Sequence, residues 1–146
     1  MRLVLNKLYE VLIRRPTKAE SATSSQHSRL ARFIFQDAHF RRQTPAAPKP
    51  SAFLPRPPDL KISALWRDAL SEAEIWTAGD LLGATRGKPR ARADFDLAAV
   101  SEANLTIELD TAPHPRHVNL CGWPIPKDEQ KSIALLLCAR STLVVR

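Results

Sequence analysis

The sequence has few of the residues that disulfide frameworks, glycine-rich loops and membrane spans require. Only two of its 146 residues are cysteine and only four are glycine. Two cysteines, Cys121 and Cys138, are too few for a disulfide framework. No apolar run reaches the roughly 20 residues that a membrane-spanning helix needs, so no membrane span is predicted.

The start of the chain also lacks the marks of a secretory signal. The apolar stretch Leu3–Ile13 is short and charged, and no small-residue cleavage site follows it. A cytoplasmic location is therefore the expectation. An arginine- and serine-rich, acid-poor N-terminus leaves an organelle transit peptide open as an alternative.

Proline and positive charge are concentrated in the first part of the chain. Six of the 12 prolines lie between Pro45 and Pro58. Residues 1–58 carry 11 Lys/Arg against 3 Asp/Glu, a net +8, whereas residues 59–146 carry 11 against 12, a net −1. This asymmetry predicts an anionic partner, nucleic acid or an acidic protein, for residues 1–58.

These shifts in composition divide the chain into three parts. Residues 1–42 are predicted to form a basic N-terminal arm with short helices, residues 43–58 a proline-rich linker, and residues 59–146 a compact domain that folds on its own. Within the linker, Phe53 and Leu54 are expected to anchor this strap on the domain surface.

Two segments of the arm have apolar residues at helical spacing. Leu5, Leu8 and Leu12 predict one short amphipathic helix. In the segment Arg29–Arg42, the spacing of Leu30, Phe33 and Ile34 favours a second helix, with a short strand at residues 33–35 as the alternative.

The periodicity of residues 59–146 predicts alternating strands and helices. Ser71 and Glu74 form a capping-box pattern at a helix start, Asp96 is placed to cap a second helix, and Pro126 opens the last one. Strands are predicted near residues 62–66, 90–95, 106–109 and 117–121, while residues 142–145 either add an edge strand or fray. The order predicts an α+β or small α/β fold, a compact mixed sheet covered by helices.

The strand at residues 117–121 carries the candidate catalytic residues. A period of two puts Val118 and Leu120 on one face, and His117 and Asn119 on the other. The imidazole suits acid–base chemistry, Asn119 can orient a ligand, and Arg116 can clamp a phosphate or carboxylate. Alternatively, His117 and Asn119 make ordinary hydrogen bonds on a half-exposed strand.

Other patterns with chemical potential are weaker. His114, His117, Cys121 and Cys138 offer zinc-binding atoms without a recognised ligand spacing, so no metal or cofactor is expected. The segment 83–88 has three residues between its glycines and proline after its lysine, which excludes a P-loop.

The arm provides the candidate binding residues. Its arginines can pair with phosphates while its aromatic rings stack on exposed bases. The alternative is a basic arm that is solvated or docked on a protein. The residues predicted to bind nucleic acid or a partner are Arg29, Arg32, Phe33, Arg41 and Arg42.

Several short runs also carry a resemblance to other proteins. They are Ser51–Pro55, Glu74–Trp76, Arg116–Asn119, the Gly122-Trp123-Pro124 corner and Asp128–Lys131 before an alanine- and leucine-rich helix. In these runs the chain resembles an uncharacterised group of small bacterial proteins met in mobile-element and accessory-gene settings. The resemblance implies no activity and no functional residues, because none is established for the group.

The sequence thus predicts a small cytoplasmic bacterial accessory protein that binds nucleic acid or an acidic protein through its arm. Whether it is also an enzyme is left open. One alternative is a small enzyme that acts on a nucleotide or phosphorylated ligand with His117 and Arg116. Another is a structural assembly subunit whose N-terminal helices pack on a partner. A deep pocket lined by His117 and Arg116 would favour the enzyme.

Overall fold

A computed structural model of the chain describes residues 28–146. The α-helices are Glu72–Leu82 (α1), Leu97–Glu102 (α2) and Lys127–Ala139 (α3), and short 3-10 helices span Asp37–His39 and Pro50–Phe53. The strands are Arg29–Ile34 (β1), Phe40–Arg41 (β2), Ala47–Pro48 (β3), Ile62–Trp66 (β4), Ala91–Asp96 (β5), Thr106–Leu109 (β6), His117–Cys121 (β7) and Thr142–Val145 (β8). The helix predicted around Leu5–Leu12 lies outside the described residues.

Six strands form one antiparallel sheet, in the order β6-β7-β4-β1-β5-β8. The α+β class is confirmed, but the prediction of a mixed sheet is wrong. Strands β4 and β5 are joined through α1, a connection that usually makes parallel neighbours. Here β1 lies between them and runs antiparallel to both, so no parallel pair forms.

The helix predicted over Arg29–Arg42 is also wrong, because β1 is a central strand. Leu30 and Ile34 pack into the larger apolar core on one face of the sheet, and Ala31 and Phe33 into the smaller core on the other. A strand buried on both faces shows no alternation of polar and apolar residues. Leu30, Phe33 and Ile34 are therefore spaced as in a helix although they lie in a strand.

Helices cover both faces of the sheet. The larger core joins the sheet to α2, α3 and the 3-10 helix Pro50–Phe53, while α1 contributes Ile75 and Ala78 to the smaller core. None of the helices within residues 28–146 is long and apolar enough to cross a membrane.

Local signals placed the elements after residue 59 correctly. The Ser71 amide donates to Glu74 Oε1 at 2.8 Å and the Glu74 amide to Ser71 Oγ at 3.2 Å, the predicted capping box of α1. Asp96 caps α2 by accepting a hydrogen bond from the Ala99 amide at 3.1 Å. Residues 142–145, which the sequence left open, form the edge strand β8 beside β5.

The proline-rich segment packs against the sheet. Ala47–Pro48 pairs with β2, and Pro50 opens a 3-10 helix whose Phe53 is fully buried. The Phe53 ring meets the Phe95 ring edge to face, with 5.7 Å between centroids. The prediction that Phe53 anchors this segment is confirmed.

Two glycines of the α1 region receive aromatic rings from the end of β1. A Cβ at Gly79 would lie 2.6 Å from Phe33 Cε1, and a Cβ at Gly83 would lie 2.1 Å from Phe35 Cε1. Both distances are far shorter than a carbon–carbon contact of about 3.5–4.0 Å. Glycine is therefore needed at both positions for the two rings to pack there.

A partly buried ion network also ties α1 to the sheet. Arg92, only 1% exposed, donates to Asp94 Oδ1 at 2.9 Å and to Glu72 Oε2 at 2.8 Å. Arg67 lies 3.5 Å from Asp94 and 3.8 Å from Glu72. Two cations thus face two carboxylates, which is the balance that buried charges normally require.

The Gly-Trp-Pro corner links β7 to α3. Gly122 has a φ of +86°, a conformation that glycine adopts without strain. Trp123 is 6% exposed and its Nε1 donates to the Leu120 carbonyl at 3.0 Å. The Gln130 side chain donates to the carbonyls of Pro124 and Ile125, at 2.8 and 3.1 Å. The buried indole of Trp123 therefore packs the turn against the larger apolar core.

The position of β1 bears on the predicted domain boundary at residue 59. A fragment 59–146 would leave β4 and β5 without their common neighbour and would expose both apolar cores. We therefore expect it to show no cooperative thermal transition by circular dichroism, whereas a fragment 28–146, which keeps every described element, melts cooperatively. A cooperative melt of the shorter fragment would restore the boundary predicted from sequence.

Trp123→Ala should lower the free energy of unfolding by about 3–5 kcal/mol, because it empties a buried aromatic site. The measurement is chemical denaturation of the full chain. Ile125→Ala is the matched control, since Ile125 lies in the same corner and is 82% exposed. Equal, small effects of the two substitutions would show that the indole does not hold the corner.

Candidate functional site

A cavity opens where β1 and β4 separate. Strand β1 pairs with β5 along six residues, but with β4 only at Leu30 and Ala31. Beyond Ala31 the two strands leave a space of about 490 Å³. We call it the basic cavity; its lining residues are Arg32, Phe33, Ile34, Phe35, Gln36, His39, Ser51, Ala52, Leu54, Arg56, Lys61, Ile62, Ser63 and Arg86.

The lining is strongly basic. Five of these side chains are arginine, lysine or histidine, and no aspartate or glutamate of the described residues belongs to the lining. Arg56 and Lys61 are brought together by a short turn, in which they form an isolated antiparallel bridge. Four separate segments of the chain therefore contribute basic residues to the same cavity.

Arg32 fixes the two walls of the cavity to each other. Its Nε donates to the Ala52 carbonyl at 2.9 Å, and its Nη1 donates to the Ser63 carbonyl at 3.1 Å. A guanidinium has five N–H donors in a rigid plane. Two of these donors hold the 3-10 helix and β4 in place. The other three N–H groups of Arg32 make no hydrogen bond within residues 28–146.

Arg86 reaches the cavity along an aromatic support. Its Cζ lies 4.2 Å from the centroid of the Phe35 ring, within the range of a cation–π contact. The same ring packs on the bare Cα of Gly83. The glycine therefore determines where the ring lies, and the ring supports the guanidinium.

The basic groups of the cavity disfavour one another's charge. Burial, then the charges of Arg86 and Arg56, lower the pKa of Arg32 to about 10. Burial and Arg56 lower the pKa of Arg86. The pKa of His39 is lowered by burial and by the charges of Arg32, Arg56 and Lys49. An anion in the cavity would relieve this repulsion.

The ion network of Arg92 and Arg67 beneath α1 differs from this cluster in its balance of charge. Arg92 and Arg67 are matched by Asp94 and Glu72. In the cavity, Lys61 pairs with Glu108 at 3.5 Å. Across residues 28–146, however, no ion pair joins a carboxylate to the three cavity arginines, Arg32, Arg56 and Arg86.

The residues predicted for catalysis lie elsewhere. His117 is 6% exposed, and its Nδ1 is 2.7 Å from the Asp110 carbonyl oxygen. Asn119 Nδ2 donates to Asp110 Oδ2 at 3.3 Å, and Arg116 Nη1 donates to the Asp68 carbonyl at 2.9 Å. None of these three predicted residues lines the basic cavity. Their catalytic role stays a prediction.

The residues predicted for binding are divided by the fold. Arg32 and Phe33 line the cavity, but the Phe33 ring is buried against Trp76 with 6.2 Å between centroids. Arg42 pairs with Asp37 at 3.3 Å and Arg41 Nε donates to the Pro45 carbonyl at 3.0 Å.

Arg29 lies at the start of β1, where its amide donates to Asp68. Arg29, Arg41 and Arg42 are therefore not brought together with the cavity arginines.

Sequence reasoning missed Arg56, Lys61, Arg86 and His39 as members of one site. Their signal was weak, because they lie in three separate connections and no local spacing relates all four. The charge excess of residues 1–58 pointed to Arg56 in general terms. The contributions of His39, Lys61 and Arg86 became visible only with the fold.

Comparisons of the chain with protein families, with curated proteins and with solved structures found no match.

Proposed function

We propose that this protein is a nucleic-acid-binding module that takes phosphate groups into the basic cavity. The observation that carries the proposal is the convergence of three arginines that no carboxylate pairs within residues 28–146. Guanidinium groups match phosphate oxygens in charge and in bidentate geometry. An uncompensated cluster of them is therefore suited to a phosphate ligand.

The shape of the site favours phosphate groups over the surface of an acidic protein. A recess of about 490 Å³ lies within the range of small-ligand pockets. A phosphate that projects from a chain can enter such a recess, whereas a folded acidic surface meets only its rim. Single strands suit it better than a duplex, since an unpaired backbone can bend into the opening.

Charge elsewhere in the chain supports the same partner. Residues 1–27, outside the described part, carry 5 Lys/Arg and 2 Asp/Glu. Such an excess raises the attraction of a polyanion at long range, in a salt-dependent way. The arm proposed from sequence would then assist the encounter of the protein with nucleic acid, while the basic cavity holds the phosphate. A bacterial accessory role in the cytoplasm stays a proposal from sequence.

The binding proposal predicts a specific salt dependence. Full-length protein should bind a 5′-hydroxyl oligo-dT with an affinity that falls with salt, with a log–log slope of about −2 if roughly three phosphates are contacted. Arg56→Gln and Arg86→Gln should each weaken binding by about tenfold at low salt, the size of one charge-assisted hydrogen bond. Fluorescence anisotropy at several salt concentrations measures both effects.

Arg140→Gln is the matched control, because it removes one positive charge at a residue that does not line the basic cavity. It should weaken binding much less than either cavity variant. If all three substitutions act alike, the protein attracts the strand by net charge only. If the unaltered protein fails to bind the strand at low salt, the proposed function is wrong.

His39 should make this binding depend on pH. Its pKa is lowered in the free protein by burial and neighbouring cations, so the ring is neutral near pH 7. A bound phosphodiester favours the protonated ring, so binding takes up a proton and affinity rises as pH falls. Each unit by which binding raises this pKa strengthens binding by up to about tenfold on the acid side.

Oligo-dT is the right ligand for this test, because neither thymine nor the phosphodiester titrates between pH 5 and 8. Anisotropy titrations across that range should show several-fold tighter binding at the acid end. His39→Gln should remove the trend, and His114→Gln should keep it, since His114 does not line the cavity. A trend that survives in His39→Gln assigns the effect to another group.

A further inference from the structure

Arg32 spans the basic cavity from one wall to the other. The Arg32 guanidinium bonds to the Ala52 carbonyl on one wall and to the Ser63 carbonyl on the other. A strand that passes through a site must enter and leave it. A side chain that is bonded to both walls hinders a strand from passing between them, so the end of a chain enters more easily than its middle.

The charge of the cavity also exceeds what one phosphodiester supplies. A diester carries one negative charge, whereas a terminal phosphomonoester carries about −1.5 to −2 near pH 7. Arg32, Arg56 and Arg86 have no carboxylate partner in the part of the chain that the structure describes. A dianionic group offers three oxygens to these guanidiniums and offsets more of their repulsion.

Arg86 adds a planar surface beside these charges. One face of its guanidinium lies on the Phe35 ring, at 4.2 Å from Cζ to the centroid. Arg86 is an exposed residue, and bases of unpaired nucleotides stack on arginine planes. A nucleoside attached to the phosphate would therefore find a stacking partner within the same site.

We infer that the basic cavity binds a nucleoside phosphomonoester, either the phosphorylated end of a single strand or a free nucleotide. In this arrangement Arg32, which joins the two walls, receives the phosphate, Arg56 flanks it, and Arg86 covers the base. The inference rests on the proposed function, because it names the part of the nucleic acid that enters the cavity.

The test compares oligo-dT strands of one length with a 5′-phosphate, a 3′-phosphate or neither, together with thymidine monophosphate and thymidine. Full-length protein is titrated by anisotropy and calorimetry at constant salt. One of the two terminal phosphates should raise affinity by about tenfold or more. Thymidine monophosphate should compete with that strand, and thymidine should not.

Arg32→Gln should abolish the increment from the terminal phosphate. Arg86→Gln gives the same test if Arg32→Gln does not fold, because the Arg86 side chain makes no hydrogen bond to the cavity walls within residues 28–146. This variant should reduce the ratio of affinities between phosphorylated and hydroxyl strands. Arg140→Gln should leave the ratio unchanged.

The outcomes separate the two proposals. Equal affinity for phosphorylated and hydroxyl strands would overturn the terminal-phosphate inference and leave the nucleic-acid proposal in place. Binding of thymidine monophosphate without binding of any strand would support a phosphomonoester site in the basic cavity and assign it to free nucleotides. The same result would overturn the proposed function. No binding of any of these ligands would overturn both.

Discussion

Strand β1 determines both the sheet and the cavity through one asymmetry in its pairing. Its hydrogen bonds to β5 continue along the whole strand, while those to β4 stop after Ala31. The first half of β1 thus closes the sheet between two strands that would otherwise be parallel neighbours. The second half leaves a gap, and Arg32 spans that gap by donating to carbonyls on both sides.

The protein contains arginines in two contrasting electrostatic settings. Arg92 is buried and paired with two carboxylates, so its charge serves to hold α1 on the sheet. In the basic cavity, burial and neighbouring positive charge lower the pKa of Arg32 and of Arg86. Like charge without a counterion is unfavourable, and this is the physical reason for proposing an anionic ligand there.

Much of the fold could be predicted from the sequence, because its signals are local. Ser71 with Glu74 marked the start of α1, and the Gly122–Pro124 corner marked the passage into α3. The prediction failed for β1, because burial on both faces hides the period of two. The site could not be predicted because its residues are distant in sequence. Arg32 and Arg86 are 54 residues apart and meet only because β1 lies beside α1. The histidine strand was placed correctly, but its polar face is buried.

The central position of β1 has a consequence for synthesis on the ribosome. Leu30 pairs with Trp66 and with Phe95, which follow it by 36 and 65 residues. At about 5–20 residues per second, the second partner is made roughly 3–13 s after β1. During that interval an apolar segment with at least one unpaired edge waits in the nascent chain, and such segments pair readily with other chains. The strand that organises the finished sheet is therefore an aggregation hazard until β5 has been translated.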